Sequence, residues 1–226
     1  MVNKMKIYKY KLEFLEEVYF SSKEINTFFT TNPVIGNYAL AYALSWCKAK
    51  YNQTDISYKS DFEDINSKGL YITPALIKKC KYNIFTFNAL SDGYYNKMDR
   101  AQFNFPQKGE IKALASGNIG EGFIFSKDEL KKVSYIRLGK FMGKVKLSYK
   151  ECNFEVVEEE KECFGYVNAV DLNDEFKANS FELINMHPVP LLKKLKGIGK
   201  LYKIMDDGNV AYYPAKIKFG GFNEKN

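Results

Sequence analysis

A single histidine stands in the 226 residues, His187, and it precedes a proline in the stretch NMHPVP. So sparse a supply all but excludes multi-histidine metal sites and acid–base chemistry shared between two imidazoles. A lone histidine is more often structural than catalytic. The four cysteines, Cys47, Cys80, Cys152 and Cys163, lie far apart and form no C-x-x-C pair. Neither a zinc knuckle nor a redox motif is signalled, and free, mostly buried thiols are expected. No cofactor or metal is called for. Nor is there a run of roughly 18 apolar residues, the length that spans a bilayer. The opening MVNKMKIYKY alternates lysine with apolar residues instead of leading into a signal-peptide core, so a cytoplasmic location is expected.

What the chain does have is material for a core and an uneven distribution of charge. A hydrophobic content of 46% fills the core of one large domain or two small ones. The net charge of +7 is modest, but residues 135–150, YIRLGKFMGKVKLSYK, hold five basic side chains, three aromatics and no acid. Residues 151–182 reverse the sign with ten acids against two bases, including EVVEEEKE at 155–162. A basic face beside an acidic one is the inference, suited to a polyanion on one side and a basic partner on the other. The abundance of Lys, Asn, Tyr, Phe and Ile is also what an AT-rich coding sequence yields, so composition alone counts for little. The acid-free run weighs more, with a solvated face as its bland counterpart.

Strand signals dominate the pattern. YKYKLEF at 8–14 alternates Tyr8, Tyr10, Leu12 and Phe14 with charged residues, the period of a half-buried strand. NYALAYALSWCKAK at 37–50 places Tyr38 and Tyr42, and Leu40 and Leu44, at i, i+4, predicting a buried helix capped by Asn37. GLYITPA (69–75) and KYNIFTFNA (81–89) read as strands, as do FIFS, VSYIRLG and several short segments of the tail, the last two joined at the turn DDGN. Residues 90–122 mix turn residues with Tyr94, Tyr95, Lys97, Arg100, Phe103, Phe105, Lys108 and Lys112, the pattern of a protruding hairpin or long loop. Gly197, Gly199 and Gly208 offer turns or a glycine-rich loop. The order predicts an α+β, ferredoxin-like fold. A domain over 1–150 would include an aromatic-basic thumb at about 90–122, with a β-rich C-terminal part, 151–226, packed on it.

NYALAYAL (37–44), GLYITPA (69–75), FTFNAL (85–90), NFPQKGEIKAL (104–114) and YIRLGKFMGKVKL (135–147) together resemble the successive blocks of one CRISPR-associated family. It is the type I-D version of the Cas-five subunit, a RAMP-superfamily protein of Cascade effector complexes. The resemblance covers roughly residues 5–147, and from 151 onward only a compatible length and a β-rich tail match. It implies a non-catalytic subunit that caps one end of the effector, holds the 5′ handle of the guide RNA (crRNA), and contacts the large subunit and the first backbone subunit. Target DNA near the protospacer-adjacent motif is left open as a further partner.

On that reading Arg137, Lys140, Lys144 and Lys146 neutralise phosphates, Tyr135 shares a strand face with Arg137, and Gly139 and Gly143 let the backbone approach RNA closely. Tyr94, Tyr95, Lys97, Arg100, Phe103 and Lys108 form the thumb. The alternative from another class is a metal-independent endoribonuclease processing precursor RNA, with His187 or a tyrosine as base and a lysine stabilising the transition state.

Overall fold

The computed structural model describes residues 5–47, 58–88, 108–131, 133–186 and 189–220. The N-terminal third holds β1 (Lys6–Phe14), β2 (Lys23–Ile25), β3 (Phe28–Thr30), β4 (Val34–Ile35), α1 (Asn37–Ala43) and α2 (Tyr58–Ser67). There follow β5 (Tyr71–Ile72), β6 (Ala75–Ile77), β7 (Tyr82–Asn88), β8 (Lys108–Leu114), β9 (Ile119–Ser126) and β10 (Tyr135–Leu138). The remainder is β11 (Gly143–Glu162), β12 (Tyr166–Asn168), a one-turn helix at Ala169–Asp171, β13 (Lys177–Ile184), β14 (Leu191–Asp206) and β15 (Asn209–Pro214). The fold is therefore mostly β, with less helix than the expected α+β class.

The alternation of β1 has the predicted consequence: Tyr8, Tyr10, Leu12 and Phe14 are buried while Lys11 is exposed. β1 is central, antiparallel to β11 on one side (Tyr10 opposite Tyr149) and to β9 on the other (Tyr10 opposite Gly122). Gly122 is small for a packing reason, because a Cβ there would lie 2.5 Å from the Tyr10 hydroxyl and the Thr73 hydroxyl. The Tyr10 hydroxyl donates to the Thr73 carbonyl at 2.8 Å. Residues 119–122, expected in an excursion, thus belong to a strand beside the central one. β8 likewise lies in a second, four-stranded sheet of order β2-β3-β8-β7.

β11 leaves β1 at Cys152 and pairs from Asn153 onward with β14, so one strand of 20 residues carries the large sheet around the core. β14 also pairs with β12, β13 and β15. The turn between β14 and β15 is the predicted DDGN, with Asp207 and Gly208 both at positive φ, as a type I′ hairpin requires. Gly197 and Gly199 form no loop. They sit inside β14, where added Cβ atoms would strike the Phe176 ring and the Glu175 carbonyl.

Helix α1 buries Leu40 completely and Leu44 nearly so, as its spacing predicts, but ends at Ala43, and Ser45 turns to positive φ. Asn37 is not its cap. Gly36 occupies that position without a side-chain hydrogen bond, and the Asn37 amide is buried against Asp171. The segment after β15 returns to this region. Phe219 packs on Tyr38, Phe62 and Tyr71, and Asn66 both donates to the Phe219 carbonyl and accepts from its N–H. No helix among the described residues is long and apolar enough to cross a membrane.

Candidate nucleic-acid interface

The acid-free run folds into a hairpin. β10 pairs with the start of β11, placing Tyr135 opposite Lys146 and Arg137 opposite Lys144. Ile136, Leu138, Val145 and Leu147 enter the core, so alternation leaves Tyr135, Arg137 and Lys146 exposed on the other face, with Lys144 partly so. Two cations directly opposite each other cost stability in a sheet unless an anion relieves them. Here Glu16 neutralises one of the two: its Oε2 accepts from Arg137 Nη1 at 2.8 Å and from the Lys144 backbone N–H at 2.8 Å. Lys146 Nζ lies 3.5 Å from Glu13, and Lys144 Nζ sits 4.7 Å from the centroid of the Tyr135 ring. The run is thus acid-free in sequence but not in space, because the end of β1 and the turn after it bring two glutamates alongside.

The glycines of the hairpin do a different job from the one expected. A Cβ on Gly139 would collide with the Tyr19 carbonyl, and one on Gly143 with the Glu17 carbonyl. Their bare faces are occupied by residues 17–19 of the same chain, and the Lys140 N–H donates to the Tyr19 carbonyl at 2.7 Å. These glycines therefore seat the hairpin on the protein and do not open backbone to RNA. Lys140 itself is turned toward the Tyr19 ring, its ammonium 5.9 Å from the centroid.

Where β10 faces the end of α1, an open cleft of about 430 Å³ is lined by Tyr42, Ala43, Tyr135, Arg137, Met142 and Lys144, with Ile136. The structure thus brings together three of the expected residues, Tyr135, Arg137 and Lys144, and adds Tyr42. The i, i+4 spacing of α1 places Tyr42 on the core stripe, and no local signal marks it as cleft-facing. Lys146 lies one pair further along the hairpin. Tyr94, Tyr95, Lys97, Arg100 and Phe103 lie outside the described residues, as does His187, and Lys108 stands at the first position of β8.

The acidic run does not make a face of one sign. Along the arm formed by β11 and β14, Glu158 is opposite Lys200 and Glu162 opposite Lys196. Glu155 accepts from Lys203 at 2.5 Å, Glu160 lies 3.3 Å from Lys196, and Glu182 of β13 accepts from Lys194 at 2.6 Å. The glutamates of 155–162 and the lysines of 193–203 interleave across the ladder. This corrects the expected separation of an acidic from a basic face: strand pairing joins runs that are distant in sequence.

The described residues thus form a mostly β fold with a curled sheet and an exposed cationic hairpin. The family model for the type I-D CRISPR-associated protein Cas5/Csc1 matches residues 5–222, so the chain belongs to that family. A comparison with curated proteins finds no match. Among solved structures, a chain from the "Cryo-EM structure of the Type III-B Cmr-beta bound to cognate target RNA and AMPPnP" is similar, with a TM-score of 0.49 and 10% identity over 85% of this chain and 86% of that one.

Proposed function

We propose that the chain is a non-catalytic subunit of a type I-D Cascade complex that holds the 5′ handle of the guide RNA on the β10–β11 hairpin. It caps the assembly beside the large subunit and the first backbone subunit. The observation that carries this reading is the opposition of Arg137 and Lys144 on an exposed face, next to Tyr135. An RNA phosphate meets both cations of this pair, of which Glu16 neutralises only Arg137. Bases of an unpaired handle are open to the adjoining ring, while sequence reading of the target is left to guide pairing. The fold supports the same reading. β11, β1, β9 and β6 are antiparallel in that order, with both helices between β1 and β5, which suits a split βαβ of the RAMP type whose second crossover is the β10 hairpin. On this view residues 1–150 are the RAMP-like part, and 151–226 extend its sheet through β11.

The test is the salt dependence of guide binding in the assembled complex. Replacing Arg137, Lys144 and Lys146 together with alanine lowers the slope of log K against log salt by about 0.7 per lost phosphate contact, roughly 2 in all. The weakening is similar for different handle sequences. An unaltered slope in the folded triple variant would leave the hairpin as a solvated edge.

A further inference from the structure

We propose that the cleft between α1 and the β10–β11 hairpin takes a single unpaired nucleotide of RNA, its base against Tyr42 and Tyr135 and its phosphate on Arg137 and Lys144. This rests on the RNA-binding reading above and specifies what the site holds. The volume of about 430 Å³ falls in the range of roughly 300–1,000 Å³ typical of small-ligand clefts.

Each wall is suited to its part. Tyr42 stands edge-on to Phe62, ring centroids 5.6 Å apart at 90°, and Phe62 is fully buried, so this wall is anchored in the core. Ala43 beside it presents only a methyl group, which keeps the cleft open. Tyr135 is 53% exposed, and the Lys144 ammonium lies over its ring at 4.7 Å. A base arriving on that ring replaces a cation–π contact with a stack, and the displaced ammonium becomes available to the phosphate that follows the base. Arg137 is held through Nη1 alone, to Glu16 and to the Met142 carbonyl at 3.0 Å. Its Nε and Nη2 are not engaged by any described residue, and a guanidinium anchored at one corner presents the rest of its fork to an anion. Recognition by stacking accepts any base, because every base has a π-face.

The experiment uses the full chain and a fluorescein-labelled single-stranded RNA in which one abasic site is moved along the strand. Binding to the wild-type protein weakens at one position by about five- to 150-fold, the weight of a base–aromatic stack. In Tyr135→Ala, which removes an exposed ring and leaves the core intact, the complete RNA binds as weakly as the abasic one does to wild type. Tyr135→Phe restores the difference. If abasic sites and Tyr135→Ala have no effect while Arg137→Ala and Lys146→Ala still lower the salt slope, the cleft assignment is wrong and the RNA-binding reading stands. If Tyr135→Ala impairs association with neighbouring subunits and leaves RNA affinity unchanged, the cleft is a protein contact and the proposal is overturned. Absence of RNA binding by the wild-type chain, alone and in the complex, overturns both.

Discussion

Asp171 Oδ2 accepts a hydrogen bond from Asn37 Nδ2 at 2.6 Å, tying the first turn of α1 to a one-turn helix 134 residues later. The same carboxylate accepts from the Tyr71 hydroxyl at 2.9 Å, the Tyr38 hydroxyl at 2.7 Å and the Gly220 N–H at 2.9 Å. All four donors are neutral, and the group is fully buried. Burial outweighs the hydrogen bonds and pushes the carboxyl up from 3.8 to about 6. Folding therefore disfavours the ionised form. The contribution of Asp171 to stability is greatest below about pH 4, is lost as pH rises to about 6, and is constant beyond. Asp171→Asn removes this dependence, so the penalty of the substitution shrinks by on the order of 3 kcal/mol between pH 4 and pH 7. Urea unfolding of both proteins across that range checks it, and a pH-independent penalty would contradict it.

This cluster also shows what was legible in the sequence. A polar residue directly before an apolar helical stripe reads as a cap, and Asn37 has that position. Its actual role depends on Tyr71, Asn168 and Asp171, whose approach is set by sheet topology that no local window contains. Local patterns succeeded where the cause is local: the alternation of β1, the burial of Leu40, and the DDGN turn. They failed where strands distant in sequence pair. Glu16 and Glu13 neutralise a run that contains no acid, and the lysines of β14 neutralise a run rich in acids. The hairpin that presents Tyr135, Arg137 and Lys144 was visible as composition, whereas the cleft also needs Tyr42, delivered by α1.

The interleaved arm of β11 and β14 makes a prediction of its own. Glu160 accepts from Asn179 at 3.0 Å and pairs with Lys196 at 3.3 Å, and these contacts hold its carboxyl below the usual range. Glu160→Lys sets like charges side by side and lowers the urea midpoint slightly, because both groups are solvated. The double variant Glu160→Lys, Lys196→Glu recovers the midpoint. RNA affinity is unchanged in both, since the arm is separate from the hairpin. A double variant no more stable than the single one would show that the pairing contributes nothing.

The last prediction concerns Glu16, which connects fold and function. Its carboxylate pairs with the Arg137 guanidinium and accepts from the Lys144 backbone N–H, so it stands beside one of the cations proposed to meet a phosphate. The two roles oppose each other. Without RNA, Glu16 stabilises the hairpin; with RNA, it repels the phosphate and competes for the guanidinium. Glu16→Gln keeps the shape and a hydrogen-bonding oxygen but removes the charge. One unit charge about 4 Å from another is worth about 1 kcal/mol in water, so RNA affinity rises by about fivefold at low salt. The gain diminishes as added salt screens the exposed pair. Thermal stability falls slightly in the same variant, because Arg137 loses its counter-charge opposite Lys144. Filter binding at two salt concentrations, together with a melting curve, measures both effects. A Glu16→Gln protein that binds RNA less tightly would mean that Glu16 positions Arg137 for its ligand more than it competes with it.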